Sequence, residues 1–205
     1  MHPWRDRLSR WFTPIARRSP LSPNAITLLA LGINLTAAIC FYRGGRWPWL
    51  FLAGIVLLTI GGLADAMDGI VARVQGKTSR FGDFLDHVAD RVSDICVAAG
   101  WMLGSGVRIE ILVPALISVM LNGYVGTQLE ATWHEREYET VGRGEFVLAL
   151  VIFPIVSFIV LTNGWSHHTL GRLRTADWLA LLMTIAAVLG IAQRIALAAR
   201  MERQK

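Results

Sequence analysis

Charged side chains and cysteine are both scarce in this chain of 205 residues. Charged residues make up 17% of it and hydrophobic residues 54%, whereas a soluble domain has roughly 25% charged residues. The two cysteines, Cys40 and Cys96, lie within apolar segments, which excludes a disulfide-rich secreted scaffold and a four-cysteine metal site. A formal net charge of +5 remains, and basic residues between apolar segments are more typical of a membrane protein than of a nucleic-acid-binding one. We therefore expect an integral membrane protein without a nucleic-acid partner.

Apolar segments long enough to cross a bilayer recur along the chain. A helix needs about 20 mostly apolar residues to span the hydrocarbon, and stretches of this kind lie at 24–43, 48–73, 81–104, 108–132, 145–164 and 176–198. Before them, apolar residues recur at helical spacing between arginines, a pattern typical of a helix in the headgroup plane. The predicted fold is an all-α integral membrane protein forming a single domain over 1–205. It has an amphipathic interfacial helix at 1–18, a bundle of six transmembrane helices at 24–198 and a cytoplasmic tail at 199–205.

The distribution of lysine and arginine predicts the orientation in the membrane. With the N-terminus inside, 14 of the 20 basic residues lie in inner segments, five lie in outer loops, and Arg91 lies within a span. The positive-inside rule then places both termini on the cytoplasmic side of a multi-pass protein of the cytoplasmic membrane. All eight tryptophans fall near predicted span ends, where indole rings prefer to lie. The first apolar run is too long and too far from the start for a cleaved signal peptide.

Four aspartates stand at helical spacing near the inner ends of the second and third predicted spans. Asp65 and Asp68 are three residues apart, and Asp86 and Asp90 are four apart, so each pair occupies one helix face. The short connection around Gly76 predicts that the two helices are antiparallel neighbours, with the four carboxylates facing one cavity. Unpaired, they would cost on the order of 10 kcal/mol. Oxygen ligands without cysteine favour a hard divalent cation such as magnesium, manganese or calcium.

Two residues beside this cluster suit a phosphorylated ligand. Gly69 follows Asp68 and leaves room for a ligand to approach the backbone. Arg73 lies one turn further, and its guanidinium can bind the oxygens of a diphosphate in pairs. The alternatives are that Gly69 only permits close helix packing and that Arg73 is a charge flanking the span on its inner side.

The spacing Asp65-x2-Asp68-Gly69-x2-Ala72-Arg73-x8-Gly82-x3-Asp86-x3-Asp90 resembles the signature of the CDP-alcohol phosphotransferases, which are integral membrane enzymes of phospholipid synthesis. The resemblance implies two divalent ions, Mg²⁺ or Mn²⁺, and an alcohol that displaces CMP from a CDP-linked substrate. It implies that the four aspartates form the metal site and that Asp90 is the general base. It also implies a CDP-binding set that comprises Asn24, Thr27, Asp65, Asp68, Gly69, Ala72, Arg73, Ser79 and Gly82. From the residues alone, Asn24 could equally be a helix cap and Thr27 a first-turn residue.

The acceptor alcohol is the open part of this interpretation. The expected reaction moves a phosphatidyl group from CDP-diacylglycerol to a small polar alcohol such as glycerol 3-phosphate or inositol phosphate. Glutamates outnumber arginines in 124–146, and Thr127 stands where an inositol-phosphate user would carry an arginine, so a phosphorylated acceptor is in doubt. The candidate acceptor-binding cations are Lys77, Arg80, Arg91, Arg136 and Arg143.

Three alternatives remain open at this stage. A CDP-aminoalcohol donor with a diacylglycerol acceptor would use the same signature, and a catalytically silent scaffold would keep the same helices. An intramembrane cation transporter, the alternative from another class, would carry acidic residues nearer the bilayer midplane or in repeated halves. The resemblance further implies a homodimer, for which the sequence offers no interface motif.

Overall fold

The computed structural model describes residues 13–14, 16–133, 143–165 and 169–203. The interfacial helix predicted for 1–18 falls mostly outside these residues, as does the end of the predicted tail. The six long helices of the described part are α1 (Pro23–Gly44), α2 (Trp49–Val74), α3 (Arg80–Gly104), α4 (Ile109–Trp133), α5 (Arg143–Thr162) and α6 (Thr175–Arg203). Between α5 and α6, β1 (Thr169–Leu170) and β2 (Leu173–Arg174) form a short antiparallel hairpin.

Each predicted apolar stretch is a helix in the structure. In the described part of the chain, α1, α2, α4 and α6 are long and apolar enough to cross a membrane. The apolar part of α5, Phe146–Thr162, is shorter. α3 carries the aspartate pair and is not among the candidate spans. The protein is therefore a helical membrane protein with four candidate spans among the described residues, and the count of six stays a prediction.

α1 and α2 run antiparallel. Near the middle of the pair, Asn34 of α1 lies against Gly61 of α2, where a Cβ atom would overlap the asparagine side chain. Thr27, seven residues before Asn34 in α1, donates a hydrogen bond to Asp68, which lies seven residues after Gly61 in α2. The contacts therefore move toward the start of α1 as they move toward the end of α2, which shows that the two helices are antiparallel. Gly61 permits their close approach.

α1 also packs along α3, in the parallel direction. Asn34 Nδ2 donates to Ser93 Oγ at 3.3 Å, and further along both helices the backbone of Ala38 lies against Gly100. By contrast, α2 and α3 make few direct contacts. The two helices are antiparallel and meet at the aspartates, as predicted, but each packs mainly on α1, because the small residues that permit close packing face α1. α1 forms the back wall of a cleft between them.

The largest buried side chains lie toward the C-terminal end of α3, away from the aspartates. Trp101, Phe41, Phe51 and Met102 are fully buried there. The rings of Phe41 and Phe51 are 6.2 Å apart, and the ring of Trp101 is 5.3 Å from that of Phe153 on α5. This apolar core holds the helices together at one end and leaves the cleft with the aspartates at the other.

Candidate active site

Three of the four predicted aspartates meet across the cleft. Asp65 and Asp68 of α2 and Asp86 of α3 each offer a carboxylate oxygen, and these oxygens lie within 4.8 Å of one another. Asp68 is buried, whereas Asp65 and Asp86 are half-buried. Asp90 is buried one turn further along α3 and lies outside this group. An all-oxygen set of this size suits a hard divalent cation such as Mg²⁺ or Mn²⁺.

Thr27 holds the most buried of the three carboxylates. Its Oγ1 lies 2.6 Å from Asp68 Oδ2 and 3.1 Å from the carbonyl oxygen of Pro23. A hydroxyl carries one hydrogen. Of its two possible acceptors the carboxylate is the stronger, because that contact is shorter and charge-assisted, so Thr27 donates to Asp68. Thr27, which the family resemblance assigned to CDP binding, thus contacts Asp68, a predicted metal ligand.

Other predicted CDP-binding residues come together where α1 and α3 begin. The N-cap of α1 is Ser22, whose side chain accepts from Ala25 N, so the interpretation of Asn24 as a helix cap is wrong. The side chain of Asn24 instead faces Gly82, since a Cβ atom there would lie 3.1 Å from Asn24 Oδ1. Ser79 caps α3 by accepting from Gly82 N at 3.0 Å. Two parallel helices thus direct their N-terminal N–H groups to one end of the cleft, an arrangement that favours an anionic ligand.

The last turns of α2 supply the predicted phosphate-binding residues. The Arg73 guanidinium folds back over Gly69, because a Cβ atom on that glycine would lie 3.4 Å from Arg73 Nη1. Arg73 is exposed and Ala72 is half-buried. A side chain larger than that of glycine would compete with the guanidinium for this space.

Among the predicted acceptor-binding cations whose side chains the structure describes, only Arg91 is held between helices. Its Nη2 lies 3.2 Å from Asp94 Oδ2, and its guanidinium packs against Gly123 of α4, where a Cβ atom would overlap it. Lys77 and Arg80 are exposed beside the connection of α2 to α3. Arg136 and the side chain of Arg143 lie outside the described residues.

Sequence reasoning missed Arg194. This arginine reaches from α6 to α4, where its Nη1 donates to the carbonyl oxygen of Asn122 at 2.8 Å and also contacts the Asn122 side chain. It is one of the 14 inner basic residues of the orientation analysis. The available signal was the polar Asn122 beside Gly123 and Gly126 in a predicted span. Arg91 and Arg194 thus converge on one stretch of α4 from two sides.

These features define a class of protein, a helical membrane protein with a carboxylate site suited to divalent metal. The CDP-alcohol phosphatidyltransferase family matches residues 20–199. The chain therefore belongs to this family of transferases.

Named relatives and solved structures agree with the family. The chain is 38% identical to the archaetidylinositol phosphate synthase of Pyrococcus horikoshii, over 51% of this chain and 53% of that protein, so it spans about half of that relative's length. It is 28% identical to the phosphatidylinositol phosphate synthase of Mycolicibacterium smegmatis, over 92% of this chain and 82% of that one. The fold is shared with the Mycobacterium tuberculosis phosphatidylinositol phosphate synthase. In complex with manganese and citrate, that structure has a TM-score of 0.68 at 23% identity and covers 90% of this chain and 87% of its own. The same protein solved with CDP-DAG bound has a TM-score of 0.68, covering 91% and 92%.

Proposed function

We propose that this protein transfers a phosphatidyl or similar lipid-phosphate group from a CDP-linked lipid to a hydroxyl of a phosphorylated polyol and releases CMP. The observation that carries the proposal is the meeting of Asp65, Asp68 and Asp86 oxygens within 4.8 Å in a chain of this family. Inositol phosphate is the favoured acceptor and glycerol 3-phosphate the second candidate, because the relatives named above are an archaetidylinositol phosphate synthase and a phosphatidylinositol phosphate synthase. The M. tuberculosis protein with CDP-DAG bound supports a CDP-lipid donor.

Asp65, Asp68 and Asp86 would hold the metal ions, with Asp90 beside them. Bound there, two Mg²⁺ or Mn²⁺ ions would neutralise charge on the phosphates. The M. tuberculosis protein solved with manganese supports this assignment. Thr27 would keep the Asp68 carboxylate in one orientation through its hydrogen bond.

The chain's own residues would then position the donor and move one proton. Arg73 would bind the diphosphate of the donor beside Gly69, and Asn24, Ala72, Ser79 and Gly82 would surround the CDP moiety. The acceptor hydroxyl oxygen forms a new bond to the lipid-bearing phosphorus, and the bond from that phosphorus to the CMP oxygen breaks. A carboxylate oxygen of Asp90 accepts the proton of the attacking hydroxyl.

Arg91 and Arg194 support a phosphorylated acceptor. Arg91 follows Asp90 directly in α3, and its guanidinium packs against Gly123 of α4. Arg194 meets the same stretch of α4 from α6. Guanidinium groups bind phosphate in a planar, paired geometry. These two residues would hold the acceptor phosphate, with Lys77, Arg80, Arg136 and Arg143 as further candidates.

We also propose the membrane arrangement that the sequence predicts. All six helices would cross the bilayer as a single domain behind the interfacial helix. Both termini and the aspartate cleft would face the cytoplasm. The active form would be a homodimer, as the resemblance implies.

The proposal can be tested by CMP release from the purified protein in lipid. The donor is CDP-diacylglycerol with Mn²⁺ or Mg²⁺, and the acceptors are inositol 1-phosphate, glycerol 3-phosphate, free inositol and serine. We expect release that depends on inositol phosphate, stops with EDTA and is lost in Asp90→Asn. The matched control Asp83→Asn, at an exposed position of α3, should retain activity. Equal CMP release with every acceptor would contradict the acceptor assignment. An active Asp90→Asn protein would contradict the assignment of Asp90 as the base.

A further inference from the structure

A second cavity lies at the end of the bundle opposite the aspartates. Its volume is about 520 Å³, within the range of roughly 300–1,000 Å³ typical of small-molecule sites. Ser105, just after the end of α3, lines it. At 1.5 Å per residue along α3, about 22 Å separates this serine from Asp90. The cavity is therefore separate from the proposed active site.

The polar side chains that line this cavity include two serines and an arginine that can donate hydrogen bonds. Trp101 Nε1 donates to Ser157 Oγ at 3.0 Å, and Ser157 Oγ lies 2.8 Å from Ser105 Oγ. Only one hydroxyl hydrogen can lie between the two serines, so the other is left for a ligand. Arg174 also lines the cavity, and one of its five N–H groups reaches the carbonyl oxygen of Gly106 at 3.4 Å.

No carboxylate lines the cavity among the described residues. The nearby Asp177 is fully buried. Its oxygens accept from the backbone N–H groups of Arg108 and Arg174 and pair with the Arg108 side chain at 3.4 Å. The negative charge of Asp177 is thus compensated inside the protein, and the lining presents a cation and hydroxyl donors, which suit an anion.

Apolar side chains form part of the cavity wall. They come from Val156 and Val160 of α5 and Leu179 of α6. The hairpin of β1 and β2 closes the same end, and exposed tryptophans surround that end at Trp47, Trp49, Trp165 and Trp178. Exposed tryptophans concentrate at the headgroup level of a bilayer. An anionic group beside an apolar wall at that depth is the chemistry of a phospholipid.

We propose that this cavity is a binding site for an anionic phospholipid. The phosphate lies against Arg174 and Ser105, and one acyl chain follows Val156, Val160 and Leu179. The site is independent of the transfer reaction and lies on the other side of the membrane from the aspartate cleft.

The test counts phospholipids retained by the intact protein in native mass spectrometry, after titration with phosphatidylglycerol or phosphatidylcholine in a neutral detergent. Arg174→Gln removes the cation, and Val160→Trp fills the cavity without replacing a polar side chain. The matched controls are Arg172→Gln, in the same hairpin but outside the cavity lining, and Val188→Trp, at an exposed position of α6. The aspartate cleft is the same in all four variants, so lipid bound there cancels in the comparison.

We expect Arg174→Gln to retain about tenfold less phosphatidylglycerol than Arg172→Gln, the loss that corresponds to one charged hydrogen bond. Val160→Trp should retain less phosphatidylglycerol than Val188→Trp, because its indole occupies the space of the lipid. The wild type should retain phosphatidylcholine weakly. An equal decrease in Arg174→Gln and Arg172→Gln would overturn the proposal in favour of unspecific attraction. So would equal retention of the two lipids by the wild type. If Arg174→Gln does not fold, the comparison of phosphatidylglycerol retention between Val160→Trp and Val188→Trp still tests the proposal.

Discussion

Replacing Thr27 by valine should weaken metal binding more than donor binding. Valine matches the shape of threonine but removes the hydroxyl, so the 2.6 Å hydrogen bond to Asp68 is lost. Both residues are buried, with Thr27 4% and Asp68 7% exposed, and water therefore cannot easily replace the donor. A hydrogen bond to a charged group contributes about 1.5–3 kcal/mol, which corresponds to roughly 10- to 150-fold in an equilibrium constant. Removing a partner that orients a metal ligand typically costs 10–100-fold in metal affinity or activity.

The assay is CMP release as a function of Mn²⁺ concentration at saturating CDP-lipid, and then as a function of CDP-lipid at saturating Mn²⁺. In Thr27→Val we expect the half-maximal Mn²⁺ concentration to rise about tenfold or more, and Thr27→Ser, which keeps the hydroxyl, to recover most of the loss. An unchanged Mn²⁺ dependence with a raised apparent KM for the CDP-lipid would refute this reasoning. It would return Thr27 to the nucleotide-binding role that the resemblance implies.

Two further substitutions probe the packing and the donor site. Gly104→Ala should lower the free energy of unfolding by about 1–3 kcal/mol or more, because its Cβ atom would overlap the backbone oxygen of Phe41. The loss should appear as a lower melting temperature in detergent. Gly32→Ala, with no atom within 4 Å, should leave stability unchanged or raise it, and equal losses would mean that the contact does not matter. Arg73→Ala should raise the apparent KM for the CDP-lipid by about tenfold, whereas Arg43→Ala, at the other end of the bundle, should not. An unaltered KM in Arg73→Ala would leave Arg73 as a charge that only flanks the span.

The helices could be predicted from the sequence because the bilayer sets their length. The first apolar run was expected at 24–43, and α1 is Pro23–Gly44. The common helix face of Asp65 and Asp68 could also be expected, since residues three or four apart on a helix share a face. In both cases the physical rule acts within one segment of the chain.

The order in which the helices pack could not be predicted in this way. Gly61 and Gly100 permit close approach, but the rule for small residues does not say which helix approaches them, and both turn out to face α1. Arg194 was missed for a related reason, because its role depends on Asn122 lying beside it on a helix that is distant in sequence. The alternative interpretation of Asn24 as a helix cap is wrong for a more local reason, because Ser22 two residues earlier has the side chain that caps the helix.

The central position of α1 has a consequence for how the protein is made. The ribosome delivers α1 and α2 first, so Thr27 can hold Asp68 before Asp86 has been synthesised. The arrival of α3 on the free side of α1 then adds Asp86 as a third carboxylate. Neighbouring carboxylates at membrane depth are costly without a compensating charge, so the cost rises when α3 packs and a divalent cation would offset it. Metal capture would therefore mark the moment at which a nascent chain has assembled its first three helices.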